Sequence, residues 1–149
     1  MKEHSFVKVK TRPFTTKAEV RHPYIFGGIR SVINVSERED KEIVSPYKSL
    51  GISYYHFPTN EECKKMNWSN IKAAAKVLLD NIANDIPTIV HCIGGNNRSH
   101  MIVKCAYFAL HGMHLADEYR AQPSHLIYNS RFLGQSIKDI ECELKQLTK

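Results

Sequence analysis

Apolar and polar positions follow two different periods along this chain. Residues 6–10 alternate apolar with basic and predict a short edge strand. Ser31-Val32-Ile33-Asn34-Val35 is rich in β-formers, follows Gly27-Gly28 and precedes the charged run Glu37-Arg38-Glu39-Asp40, so it predicts an interior strand. Residues 52–57 predict another strand, stopped by Pro58 and followed by a polar loop over 59–67. The period then changes. Ile71, Ala74, Ala75, Leu78, Leu79 and Ile82 form a helical stripe, which predicts a helix from about Ser69 to about Asn84. Residues 87–91 are a short apolar run that reads as a buried parallel strand. Residues 99–111 are apolar nearly all round, the pattern of a central buried helix, with Gly112 placed to end it. Residues 114–121 and 130–147 predict two further helices, separated by Gln122-Pro123. Strands interleaved with helices predict an α/β fold: a single domain with a central, mostly parallel sheet of four or five strands and helices on both faces.

Composition narrows the class. The 149 residues suit one domain spanning 1–149, with 1–23 a basic extension or edge strand. No apolar run approaches the roughly 18 residues of a membrane span. The N-terminus lacks an apolar signal region, so the expectation is a cytoplasmic protein, with the nucleus as a further compartment. Cys63, Cys92, Cys105 and Cys142 contain no Cys-x-x-Cys pair, and the eight His lack metal-ligand spacing. Neither a metal nor another cofactor is therefore expected. The net charge of +6 is uneven: residues 1–22 hold six Lys or Arg against two Glu, a balance that favours anionic partners.

One segment carries chemistry. After the strand over 87–91 comes Cys92-Ile93-Gly94-Gly95-Asn96-Asn97-Arg98-Ser99, and then the buried helix. A loop opening a helix aims several backbone N–H groups at one point, and the helix dipole adds positive potential there. Gly94 and Gly95 give the backbone the freedom for those amides to converge. Arg98 offers a planar fork for two phosphate oxygens. A thiol at Cys92 in that field is held as thiolate, set for in-line attack on phosphorus. His before the Cys and Ser after the Arg bring the chance frequency down to roughly one such chain in a thousand.

His91-Cys92-x5-Arg98-Ser99 resembles the signature loop of the cysteine-dependent protein tyrosine phosphatases, and the short chain resembles their dual-specificity branch. The order of Val32-Ile33-Asn34-Val35, then residues 51–58, then the helix before the loop is similar to that branch, over about residues 24–147. The resemblance implies a phosphate-binding loop between a strand and the central helix. It implies Cys92 as the nucleophile that becomes a phosphocysteine. Arg98 and the amides of Ile93, Gly94, Gly95, Asn96 and Asn97 would hold the phosphate. His91 would orient the loop, and Ser99 would donate to the departing sulfur.

This family normally supplies an Asp as general acid from the loop after the second of those strands. Here the loop reads Thr59-Asn60-Glu61-Glu62-Cys63, with no Asp. Glu61 falls at the expected place, Glu62 is the alternative, Asp40 is a fallback, and a loop without an acid is a further alternative. The leading substrate is a phosphorylated protein bearing phosphotyrosine, with phosphoserine and phosphothreonine as additions. Relatives that take phosphoinositides tend to carry Lys in the loop, which residues 93–97 lack. Two alternatives stand beside this: an RNA 5′-triphosphatase or diphosphatase of the same superfamily, suited to the basic N-terminal stretch, and a phosphate-binding pseudophosphatase.

Overall fold

The computed structural model describes residues 7–10, 29–37, 39, 41–45, 47–59, 67–91, 98–112 and 136–148. Four strands form one sheet: β1 (Val7–Lys10), β2 (Ser31–Asn34), β3 (Ser53–His56) and β4 (Thr88–His91). Their order is β1-β4-β2-β3, and every pairing is parallel. All four residues of β2 and of β4 are buried, as strands flanked on both sides and covered on both faces must be. Among the described residues β1 and β3 are the edges, and β3 is accordingly only half-buried.

Side-chain alternation divides the sheet between two cores. Ile33 and Val90 enter a large core with α2 (Trp68–Ala83), α3 (Arg98–His111) and α4 (Ile137–Gln146). Their neighbours Val32 and Ile89 enter a small core on the opposite face with Ile29 and Tyr47. The three long helices described all pack on one face. Among the described residues the other face meets the Tyr47 ring and Val44 of a one-turn helix α1 (Lys41–Val44), with a 3-10 turn (Lys48–Leu50) following Tyr47. Helices of three or four residues complete only about one turn, too short to show a 3.6-residue period, so hydrophobic patterning gives no sign of them.

Elsewhere the local signals suffice. In α2 the stripe Ile71, Ala74, Ala75, Leu78, Leu79 and Ile82 is buried, and the Asn67 side chain caps the helix by accepting from Asn70 N at 3.1 Å. Asn81, near its other end, donates from Nδ2 to Ser31 Oγ (2.9 Å) and Thr88 Oγ1 (3.1 Å), tying the helix to the starts of β2 and β4. Helix α3 is the best buried of the three and stops at Gly112, whose φ of 69° suits a residue without Cβ. Its final carbonyls are closed by the Gly112 N–H, which donates to Phe108 O at 2.8 Å. Trp68 Nε1 and Lys72 Nζ both donate to the Glu143 carboxylate, at 3.0 and 2.7 Å, which fastens α2 to α4. The expected helix over 114–121 and the residues 130–135 of the last one lie outside the described residues.

Candidate active site

In a parallel sheet all strands end at one edge, and that edge is where ligands bind. The last row of the register is Lys10, His91, Asn34 and His56, one residue from each strand. His91 ends β4 and is buried, and its carbonyl accepts from Val35 N at 2.9 Å. After six intervening residues, Arg98 and Ser99 form the first turn of α3. The structure therefore brings His91, Arg98 and Ser99 to the two ends of a single strand-to-helix connection. The buried body of α3 fixes its positive dipole end at this edge. The connection itself, Cys92, Ile93, Gly94, Gly95, Asn96 and Asn97, lies outside the described residues, as do Glu61, Glu62 and Asp40.

The exits of β2 and β3 are bound together beside it. Asn34, almost fully buried, accepts at Oδ1 from Ser36 N (2.9 Å) and Ser36 Oγ (2.6 Å), and donates from Nδ2 to the Tyr54 hydroxyl (3.1 Å). His56 places Nε2 2.8 Å from the Ser36 carbonyl, which can only accept, so that nitrogen carries a proton. Its Nδ1 lies 3.4 Å from Glu39 Oε2. The Tyr54 phenol is held well above its ordinary pKa, chiefly by burial; the Asn34 amide works against this, and the Glu39 carboxylate adds to it by hydrogen bonding and charge. Tyr54 is thus a neutral donor and acceptor between Glu39 and Asn34. The sequence analysis gives neither Tyr54 nor Asn34 a part in the site. The available signal was a polar Asn at the end of a strand buried on both faces, which must find partners there.

The thiols separate by environment. Cys105 sits in the large core, and burial pushes its pKa up to about 12, so it is packing rather than chemistry. Cys142 is exposed on α4. Among the described residues no cluster of His, Cys, Asp and Glu is placed to hold a metal ion, and no helix is long and apolar enough to cross a membrane.

Solved structures share this architecture almost end to end. PTPMT1 in complex with PI(5)P superposes with a TM-score of 0.65 at 17% identity, covering 98% of this chain and 96% of its own. Human DUSP28 gives 0.53 at 13% identity, covering 95% and 90%. The fold is that of the cysteine-dependent, dual-specificity-type phosphatases. Kinase associated phosphatase, solved with its catalytic-site cysteine substituted by serine, shares the same phosphatase fold at a TM-score of 0.52 and 18% identity, over 80% of this chain and 67% of its own. No protein-family model matches the sequence, and no curated protein matches it significantly. The likeness lies in the fold of the chain rather than in its sequence as a whole.

Proposed function

We propose that this protein is a cytoplasmic phosphatase that hydrolyses phosphotyrosine in proteins through a phosphocysteine intermediate. One observation carries the reading. A buried parallel strand ending at His91 is followed, after the six residues that begin with Cys92, by a buried helix opening on Arg98. That is the order and spacing a cysteine phosphate loop requires, in a chain with the phosphatase fold.

In this reading the Cys92 thiolate attacks phosphorus as the bond to the leaving oxygen breaks. Glu61 gives its proton to that oxygen, which leaves as the tyrosine hydroxyl. Arg98 and the loop amides hold the three equatorial oxygens of the transition state. Water then attacks the phosphocysteine, gives a proton back to Glu61 and releases phosphate, while Ser99 donates to the departing sulfur. An aryl phosphate leaves readily, whereas an alkyl phosphate depends more heavily on the acid. An acid displaced from the place of the family's Asp therefore favours phosphotyrosine over phosphoserine.

RNA 5′-triphosphate is the second reading. It is favoured by the basic residues before residue 23 and by β1, whose Lys10 pairs in register with His91. PI(5)P belongs in the substrate panel because PTPMT1 was solved with it.

The deciding experiment is hydrolysis of a small aryl phosphate across pH, in the presence of a chelator, by the wild type and by Cys92→Ser. The expected result is turnover that Cys92→Ser abolishes, with phosphotyrosyl peptide preferred over RNA 5′-triphosphate and PI(5)P. A folded wild type that binds phosphate without turning over any of the three would overturn the reading in favour of a phosphate-binding module.

A further inference from the structure

The exits of β2, β3 and β4 converge on Val35. Its N–H donates to the carbonyl of His91 at 2.9 Å, and its own carbonyl accepts twice from Thr59, from the backbone N–H at 3.2 Å and from the hydroxyl at 2.8 Å. His91 immediately precedes Cys92, and Thr59 stands two residues before Glu61. A single residue thus joins the strand leading to the nucleophile with the start of the loop leading to the acid.

This junction is a departure from the regular ladder. Phe57 N donates to Asn34 O at 2.9 Å, and the next parallel step would take the Thr59 N–H to Ser36. The Ser36 carbonyl instead faces His56 Nε2, and Thr59 is drawn one residue back onto Val35. Thr59 is 1% exposed, so water does not compete for its hydroxyl.

We propose that Thr59 is a positioning residue for the general acid. Its hydroxyl, held on the Val35 carbonyl, sets where the chain toward Glu61 leaves the sheet relative to the strand that delivers Cys92. The inference rests on the phosphatase reading above and on an acid in that loop. Proton transfer requires the carboxyl within about 3 Å of the leaving oxygen. A misplacement of about 1 Å can cost about a hundredfold in rate. The proton moves from the acid to the leaving oxygen as that oxygen parts from phosphorus, so the demand for the acid grows with the basicity of the leaving group.

The test uses Thr59→Val, Thr59→Ser and Cys92→Ser with a series of aryl phosphates running from nitrophenyl to unsubstituted phenyl. Thr59→Val is nearly isosteric and keeps the backbone bond to Val35. The expected result is a fall in kcat of about tenfold or more on phenyl phosphate and less than about twofold on nitrophenyl phosphate. KM stays unchanged, and the alkaline limb of the kcat profile flattens. Thr59→Ser, which keeps the hydroxyl, restores both. Should Thr59→Val not fold, Thr59→Ala is read by the same ratio. Equal loss on every substrate, or none on any, overturns this inference while leaving the phosphatase reading intact. Turnover that survives Cys92→Ser brings down the phosphatase reading itself.

Discussion

Asn34→Ala removes the polar centre of the β2 exit. In the wild type its amide makes, among the described residues, two acceptances from Ser36, at 2.9 and 2.6 Å, and one donation to the Tyr54 hydroxyl at 3.1 Å. The residue is 3% exposed, so no solvent stands ready to replace the lost carbonyl. A net value of about 1 kcal/mol per bond, raised by the desolvated state of the Ser36 groups, gives about 2–4 kcal/mol of lost stability. Asn34→Asp separates the two halves of the amide. It keeps the acceptors for Ser36 and loses the donor to Tyr54, while placing a second carboxylate near a phenol that already donates to Glu39. Its cost should fall below that of Asn34→Ala at neutral pH. Urea denaturation followed by circular dichroism measures both, with the m-value as a check that the unfolding transition is unchanged. A loss below about 0.5 kcal/mol for Asn34→Ala would refute the claim that this amide holds the strand exit together, since even one buried hydrogen bond outweighs it.

Two further expectations concern the core. Ile140→Ala removes a fully buried side chain of α4 from the large core and should cost about 2–5 kcal/mol by chemical denaturation, with the far-UV spectrum preserved. The Cys105 thiol, raised from 9.0 to about 12 by burial, stays protonated in the folded state where the unfolded chain ionises. Its contribution is therefore whole below pH 9 and is lost as the pH rises from about 9 toward 12, with a limiting slope of about 1.4 kcal/mol per pH unit. Cys105→Val should be less pH-dependent than the wild type over that window, and parallel curves would refute the buried-thiol account.

Much of this molecule was legible from local periodicity. The stripe from Ile71 to Ile82, the buried run before His91 and the nearly all-apolar helix ending at Gly112 each carry their environment in their own residues, because a face that must be buried has to be apolar at the matching period. The order of strand, Cys92-x5-Arg98 and helix is likewise a property of consecutive residues. Contacts between distant residues are of another kind. Thr59 meets Val35 across 24 positions, and Trp68 meets Glu143 across 75. Neither pairing leaves a periodic trace, because a Thr or a Glu satisfied by a partner has the same local pattern as one facing water. The side of the sheet chosen by each helix is also a collective outcome. Ile33 and Val90 share one face, Val32 and Ile89 the other, and all four are equally apolar. The sequence alone determined the strands and the long helices described, and where a phosphate loop would begin. Only the tertiary structure decided that the three long helices described crowd one face, and that Val35 stands between the strand to Cys92 and the loop to Glu61, since both depend on how separately specified segments close-pack around a single sheet.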